Sequence, residues 1–179
     1  MSWARRVHIS RNTEIGRGVA RAGAIIALAF AALPMMADAR TPDAALPAAD
    51  DLARDGQVAL SQGEPLVILF SLPGCSYCET VRRNYLLPIS KDGKAVHGPM
   101  VREADMSSAV PLRGIDGEAS SGKALAKQYG IRVAPSVLLI DGRGRRLAPV
   151  LEGGDMAGMY GAYLEDRLAN ARRALDEGR

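Results

Sequence analysis

Short apolar runs, separated by polar stretches, predict a sheet in this chain. Residues 65–71 (PLVILFS) and 136–140 (SVLLI) are continuous runs of strand-forming residues. Such runs are typical of strands buried on both faces of a parallel or mixed sheet. Residues 99–105 (PMVREAD) form a third candidate strand, and a tight turn at 141–144 leads to a short strand around Leu147–Leu151. We therefore predict a central mixed sheet of about four strands.

Helical patterns alternate with these strands. The predicted helices are Asp51–Gln62, Cys75–Leu87 with a stop at Pro88, Ser121–Tyr129 with Ser121 as N-cap, and a last helix from Asp155 onward. Met106–Gly122 is polar and contains glycines, so we predict a long loop there. Helices between strands favour parallel pairing and helices on both faces of the sheet. The fold class is therefore α/β.

The last predicted helix has the clearest amphipathic pattern. Its apolar residues recur at intervals of three and four, which places them on one face; they are Met156, Met159, Tyr160, Tyr163, Leu164, Leu168, Ala171 and Leu175. A pair of methionines also raises the question of a copper site. On an amphipathic helix this spacing indicates core packing, and we predict that Met156 and Met159 are buried.

The N-terminal residues have the three-part layout of a bacterial secretory signal. Residues 1–21 are polar and contain five Arg, residues 22–37 are apolar and uncharged, and a small-x-small cleavage site follows at 37–39. The apolar run has 16 residues, short of the roughly 20 that a membrane-spanning helix needs. We predict a cleaved signal peptide at 1–39, a linker at 40–50 and one domain at 51–179, with an uncleaved membrane anchor as the alternative.

Composition and charge narrow the class of protein. The chain has 179 residues, of which 47% are apolar and 24% charged, values typical of a soluble globular domain. Its formal charge of +3 arises in residues 1–39, and the remaining residues are neutral. The sequence has no basic patch that indicates nucleic-acid binding. We expect a periplasmic monomer with no nucleic-acid partner.

The residues most informative about chemistry are Cys75 and Cys78, in the sequence FSLPGCSYCE at a predicted strand–turn–helix junction. Cys75 is expected at the helix N-terminus, where free N–H groups and the helix dipole stabilise a thiolate. Cys78 follows one turn later on the same side, close enough to form a disulfide with Cys75. The arrangement predicts Cys75 as the attacking nucleophile and Cys78 as the resolving thiol.

The cysteine pair also fits two roles without redox exchange. A structural disulfide is one, although so short a loop removes little entropy from the unfolded chain. A metal site is the second, although closed zinc sites have about four ligands and His97 is the only imidazole after the signal. We predict redox exchange, with no metal and no bound cofactor. The alternative function is a soft-metal (copper) binding or delivery protein without turnover.

A proline stands immediately before the SVLLI run. In a central strand it would remove a ladder hydrogen bond, so Pro135 belongs at the first strand position. The Ala134–Pro135 bond is a candidate cis bond, and the sequence pattern leaves its isomer open.

Residues 50–176 resemble thioredoxin-fold proteins of the bacterial periplasm. The matching elements are the PLVILFS strand running into CSYC, the stretch QYGIRVAPSVLLI, and Gly153-Gly154 before the last helix. The resemblance implies a thioredoxin fold in which Pro135 is cis and lies against the cysteines. It also implies that the backbone of Ala134 pairs with an extended substrate segment. Tyr77 is expected to lie exposed beside Cys75 and to contact the substrate.

Departures from the thioredoxin pattern narrow the resemblance. Ser76-Tyr77 replaces Gly-Pro between the cysteines, and Leu69 replaces a buried acid six residues before the first cysteine. Glu79 and Glu103 are candidates for assisting proton transfer at Cys78, with solvated surface positions as the alternative. The chain is similar to small periplasmic thioredoxin-like proteins, including those encoded with sulfur-oxidation systems (SoxW-like) or serving cytochrome c maturation.

The expected function is that of an exported thiol–disulfide oxidoreductase. It would reduce or exchange disulfides in periplasmic proteins through the Cys75/Cys78 dithiol, with a membrane thiol carrier as electron donor. The direction of exchange depends on the relative stability of the reduced and oxidised forms, which these sequence features leave undetermined.

Overall fold

The computed structural model describes residues 45–90 and 98–178. Its elements, in chain order, are α1 (Leu52–Gln62), β1 (Leu66–Ser71), α2 (Ser76–Val81), β2 (Met100–Asp105), β3 (Pro111–Arg113), β4 (Ala119–Ser121), α3 (Gly122–Tyr129), β5 (Ser136–Ile140), β6 (Leu151–Glu152) and α4 (Tyr160–Glu177). The predicted signal peptide and His97 lie outside the described residues. Within the described ranges, none of the helices has the length and apolar character needed to cross a membrane.

A mixed four-stranded sheet forms the centre of the fold, in the order β2-β1-β5-β6. β1 is parallel to β2, with Leu69 opposite Glu103, and antiparallel to β5, with Phe70 opposite Ser136. β6 pairs with β5 in the antiparallel sense. The predicted α/β thioredoxin fold, with a mixed sheet of about four strands between helices, is confirmed.

Each face of the sheet is covered by helices. Because side chains alternate along a strand, Val67 and Leu69 of β1 pack on one side with α2 and α4. Ile68 and Phe70 pack on the other side with α1 and α3. β1 is buried along its whole length, which accounts for its continuous apolar sequence. The start of α2 therefore follows directly from the most deeply buried strand.

Side-chain caps set the starts of two helices; the cap at Ser121 was predicted, whereas Asp51 was predicted as the first residue of α1. Asp51 accepts a hydrogen bond from the Arg54 amide at 2.9 Å, at the start of α1. Ser121 accepts one from the Ala124 amide at 3.1 Å, at the start of α3. These side-chain caps satisfy N–H groups that the first turn leaves free.

The last helix begins later than predicted, at Tyr160 instead of Asp155. Gly158 has a φ of +69°, a left-handed conformation that interrupts the helical backbone. Met156 and Met159 therefore lie before the helix, 85% and 51% exposed. The prediction that both methionines are buried is wrong, because it assumed that the helical periodicity extends back to Asp155.

The helix that carries the cysteines does not stop at Pro88. After Val81 it continues as a π-helical turn, Arg82–Leu86, and the helical backbone extends to Ser90. The Leu87 amide donates to Arg82 O, five residues back. The backbone then stays helical through Pro88, which itself has no N–H to donate.

Two segments differ from prediction in their strand pairing. Met106–Gly122, expected to be a loop, contains the hairpin β3–β4. Its Asp116-Gly117 turn is closed by the Gly114 amide, which donates to Glu118 O at 2.8 Å. The predicted strand at Leu147–Leu151 is interrupted. The Leu147 amide donates to Leu139 O at 2.9 Å, but regular pairing with β5 begins only at Leu151, after Pro149, which has no N–H to donate.

The described part of the predicted linker is packed against the domain. Glu103 donates its amide to Pro47 O and accepts at its carbonyl from the Ala49 amide, both at 2.9 Å. Leu46 and Ala49 are buried. Residues 45–50 therefore cover the free edge of β2, whose backbone groups would otherwise lack partners. The prediction of a linker at 40–50 is wrong for this half of the segment.

Candidate active site

The two cysteines lie where the buried strand β1 turns into α2. Cys75 and Cys78 form a disulfide. Cys75 occupies the N-cap position, where its Sγ accepts a hydrogen bond from the Cys78 amide at 3.1 Å, and its carbonyl accepts from the Glu79 amide at 3.1 Å. The predicted Cys-X-X-Cys at the N-terminus of a helix is confirmed.

The two sulfur-bearing residues differ in exposure. Cys75 is partly exposed and lines a surface cavity of about 470 Å³. Cys78 is completely buried beneath it. A disulfide with one accessible and one buried residue can be attacked from outside at the accessible residue only. This asymmetry fits an attacking role for Cys75 and a resolving role for Cys78.

Tyr77, between the cysteines, lies on the surface with 55% of its area exposed. It packs on the backbone of Gly154, where an added Cβ would lie 2.9 Å from Cδ1 of the Tyr77 ring. Only glycine permits so close an approach. The Cys-X-X-Cys turn therefore contacts the segment that follows β6.

Pro135 lies at the same end of the sheet as the two cysteines. Because Phe70 is opposite Ser136 in the antiparallel pairing, Pro135 falls beside the end of β1, where the cysteine turn begins. The Ala134–Pro135 peptide bond is cis, and Pro135 O accepts a hydrogen bond from the Gly153 amide at 2.8 Å. Tyr77 and Pro135, 58 positions apart in sequence, are thus joined through Gly153 and Gly154.

Ala134 presents free backbone groups at this end of the sheet. Its side chain is partly buried, and neither its N–H nor its C=O takes part in a hydrogen bond with the described residues. Unpaired backbone groups beside a strand are a template for an added strand. The predicted site residues Cys75, Tyr77, Ala134 and Pro135 therefore lie around one end of the sheet.

A cluster of charges lines the cavity beside Cys75. Arg82 binds both carboxylate oxygens of Glu103, at 2.8 and 2.6 Å, and also pairs with Glu79. The hydrogen bond to Glu103 raises the pKa of Arg82 above its usual value, so the guanidinium keeps its charge. Glu79 and Glu103, the predicted candidates for proton transfer, are held by the same cation near Cys75.

Arg82 was not predicted as a site residue, although its spacing offered a signal. It follows Cys78 by four residues, and its amide donates to Cys78 O, so the two residues lie on one side of α2. Leu69, at the position of the absent acid, is completely buried. Its neighbour in the sheet is Glu103, so the adjacent strand supplies a carboxylate beside this position.

Two further residues near the site had no detectable signal in the sequence. Tyr85 donates a hydrogen bond from its hydroxyl to Asp155. This bond lowers the pKa of Asp155 and raises the pKa of Tyr85. The partners are 70 residues apart, and nothing local predicts their contact.

The donor set gives no indication of a metal centre. In residues 45–90 and 98–178, no three or more His, Cys, Asp or Glu side chains lie together as metal ligands would. The carboxylates nearest to Cys75 are paired with Arg82. The group that the described residues do show is a disulfide at a helix N-terminus.

Several solved structures are similar to this chain. A thioredoxin-fold protein from Helicobacter pylori is 16% identical, with a TM-score of 0.45 over 64% of this chain and 84% of that one. Thioredoxin NaTrxh from Nicotiana alata is 14% identical, with a TM-score of 0.47 over 72% and 96%. DsbH Oxidoreductase is 18% identical, with a TM-score of 0.47 over 72% and 90%. No curated protein matches the chain.

The sequence also matches a family. The family model of the Thioredoxin-like domain aligns with residues 52–167, from the start of α1 into α4. This range contains the cysteine pair, the cis-proline and the whole four-stranded sheet. Fold and disulfide together support a thiol–disulfide oxidoreductase in general. Because the match covers more than half of its length, the protein belongs to the thioredoxin-like domain family.

Proposed function

We propose that the protein is an exported thiol–disulfide oxidoreductase that reduces or exchanges disulfides in periplasmic proteins. The observation that carries the proposal is the disulfide between a partly exposed Cys75, at the N-cap of α2, and a buried Cys78. A sulfur at this position becomes a stabilised thiolate on reduction, because the free amides of the first helical turn point towards it.

The proposed reaction has two exchange steps. The Cys75 thiolate attacks one sulfur of the substrate disulfide, which forms a mixed disulfide and releases the other substrate sulfur as a thiolate. Cys78 then loses its proton and attacks Cys75 Sγ. The Cys75–Cys78 disulfide forms again, and the second substrate thiolate leaves. Two electrons pass to the substrate, and a thiol donor must reduce the protein before the next cycle.

Substrate binding follows from the open backbone at the site. An extended substrate segment pairs with the free N–H and C=O of Ala134, while the cis-proline and Tyr77 flank the reacting sulfur. This arrangement uses main-chain hydrogen bonds and therefore suits protein substrates of different sequence. No bound cofactor takes part in the scheme.

Location and partners are part of the proposal. The secretory layout of residues 1–39 supports export to the periplasm, and a membrane thiol carrier is the proposed electron donor. A relation to the thioredoxin-like proteins of sulfur-oxidation systems or of cytochrome c maturation is proposed on the sequence resemblance. A protein of this size and charge is proposed to act as a monomer.

Two cysteine variants test the reaction scheme. Cys75→Ser is expected to abolish insulin reduction, because the nucleophile is removed. Cys78→Ser is expected to accumulate mixed disulfides that denaturing electrophoresis without reductant detects, because Cys75 attacks but is not resolved. Full turnover by either variant would refute the assigned roles. Tight Cu(I) binding by the reduced protein, without reductase turnover, would favour metal delivery instead.

The reduction potential of the Cys75/Cys78 couple tests the direction of exchange. A value near roughly −270 mV is that of a reductant, and one near roughly −120 mV is that of an oxidant. We expect a value closer to the first. Equilibration with glutathione buffers, followed by thiol labelling, measures it.

A further inference from the structure

Ser136 is a polar residue in a buried apolar strand. It is the first residue of β5, in which all five residues are buried and the other four are valine, leucine and isoleucine. None of the surface of Ser136 is exposed. A buried hydroxyl group costs free energy unless it has a hydrogen-bond partner. A serine at this position is therefore expected to make a hydrogen bond that an apolar residue could not make.

The partner of Ser136 is the backbone carbonyl of Val133, three residues earlier. Ser136 Oγ donates to Val133 O at 2.9 Å. The peptide unit that contains this carbonyl also contains the N–H of Ala134. A trans peptide unit is planar, and its C=O and N–H point in opposite directions. By holding the Val133 carbonyl, Ser136 therefore fixes the direction of the Ala134 N–H.

A second hydrogen bond holds the chain on the other side of Ala134. The Gly153 amide donates to Pro135 O at 2.8 Å. Ala134 lies between these two anchored carbonyls, and its own N–H and C=O have no hydrogen-bond partner among the described residues. The chain is thus fixed on both sides of the residue whose backbone groups stay free.

We infer that Ser136 is a positioning residue for substrate binding, because its hydroxyl group holds the Ala134 N–H ready for a substrate carbonyl. A donor that is ordered before binding does not have to be ordered by the substrate, so affinity rises. A hydrogen bond to the carbonyl also polarises the peptide unit and strengthens its N–H as a donor. The inference rests on the proposed oxidoreductase function, in which a substrate segment pairs with Ala134. Binding of peptide disulfides therefore depends on Ser136, whereas binding of small disulfides does not.

Ser136→Ala removes the hydroxyl group and tests this role. Two substrates are compared on the full chain, with dithiothreitol as the thiol donor: two extended peptides joined by one disulfide, and a small aromatic disulfide without a peptide backbone. We expect the KM for the peptide substrate to rise about fivefold, as for the loss of one net hydrogen bond, with kcat unchanged. Both kinetic constants for the aromatic disulfide should stay at the wild-type values, because this compound does not pair with Ala134.

Ser61→Ala is the matched control. Ser61 makes the same kind of bond, from its Oγ to Val58 O three residues earlier at 2.8 Å, but it lies on α1 and outside the cavity that contains Cys75. Its removal should change the KM of neither substrate. Ser136→Thr keeps the hydroxyl group and should have a peptide KM near the wild-type value. A fivefold rise in this threonine variant would contradict the inference, whether or not Ser136→Ala folds.

The aromatic disulfide separates this inference from the proposed function. If the wild-type chain reduces neither substrate, the oxidoreductase proposal fails and the inference fails with it. If the wild-type chain reduces both substrates but Ser136→Ala keeps the wild-type peptide KM, the inference alone fails. Equal losses for the two substrates in Ser136→Ala would also overturn the inference, because they would show a general structural role.

Discussion

Adjacent residues of β2 direct their side chains to opposite faces of the sheet, and each forms a two-point ion pair. Arg102 donates to both carboxylate oxygens of Asp55, each at 2.7 Å, beneath α1. Glu103 accepts from Arg82 at 2.8 and 2.6 Å, beneath α2. Asp55 is only 1% exposed, whereas Arg82 and Glu103 line the cavity that contains Cys75.

The two ion pairs therefore have different consequences. Asp55 lies on the face that α1 and α3 cover with apolar side chains, so its pair affects stability. The Glu103–Arg82 pair lies beside a sulfur that gains negative charge on reduction. Because charges interact over several ångströms, we expect this second pair to affect both stability and the reduction potential. The same chemical groups would then be structural on one face and coupled to redox chemistry on the other.

The largest expected effect comes from breaking the ion pair between Arg102 and Asp55. Asp55→Asn leaves the partly buried Arg102 guanidinium without its countercharge and places an amide at the buried Asp55 position, so we expect a loss of about 3 kcal/mol in the free energy of unfolding. Urea denaturation of the oxidised protein measures this loss. The reduction potential should stay at the wild-type value. A potential that changes as much as in Glu103→Gln would remove the distinction between the two faces.

Breaking the second pair should affect stability less and the potential more. Glu103→Gln keeps the shape of the side chain, and the pair is partly solvated, so we expect a loss of about 1–2 kcal/mol. Removal of a negative charge near Cys75 stabilises its thiolate, which raises the potential by about 10–30 mV. Glu64→Gln is the control, because its ion pair with Arg172 lies away from this cavity. An unchanged or more negative potential in Glu103→Gln would contradict the assignment.

Acidification should weaken the hydrogen bond between Tyr85 and Asp155, on the side of the sheet that α2 and α4 cover. The hydrogen bond from Tyr85 lowers the pKa of Asp155. A carboxyl group with a lowered folded-state pKa stabilises the fold above its unfolded pKa of roughly 4, and this stabilisation is lost as the pH falls through the folded value. The Tm advantage of the wild type over Asp155→Asn at neutral pH should therefore shrink as the pH falls below the unfolded pKa and disappear once the carboxyl group is protonated in the folded protein. A difference in Tm that does not depend on pH would disprove this coupling.

The smallest expected effect concerns Met156, which is exposed in the segment between β6 and α4. Met156→Ser should change the free energy of unfolding by no more than about 0.5 kcal/mol, because the side chain is exposed. Leu164→Ala, in the buried part of α4, should cost about 2–5 kcal/mol. Thermal or urea melts of both variants make the comparison. Similar losses in the two variants would mean that Met156 packs in the core after all.

Local features of the sequence predicted much of this fold. The apolar runs identified β1 and β5, and the cap Ser121 identified the start of α3. The spacing of Cys75 and Cys78 identified the disulfide-bearing helix. Each of these signals depends on contacts within a few residues, which the order of residues alone specifies.

Predictions failed where one local sequence pattern is compatible with two different backbone conformations. The methionine periodicity suited a helix, but the left-handed conformation of Gly158 ends that pattern. Pro88 suited a helix end, but the helix widens to a π-helical turn before it and continues to Ser90. The segment before α1 looked like a linker, but it pairs with the open edge of β2. In each case a competing backbone conformation or partner decided the outcome.

By itself, the sequence determined the layers of the fold and the cysteine pair at a strand–helix junction. Only the tertiary structure decided that Glu103 meets Arg82, that Tyr85 meets Asp155 and that the methionines stay in water. The physical reason is distance along the chain. Hydrophobic alternation and capping act between neighbouring residues, whereas these contacts join segments that approach only when the sheet pairs β1 with both β2 and β5.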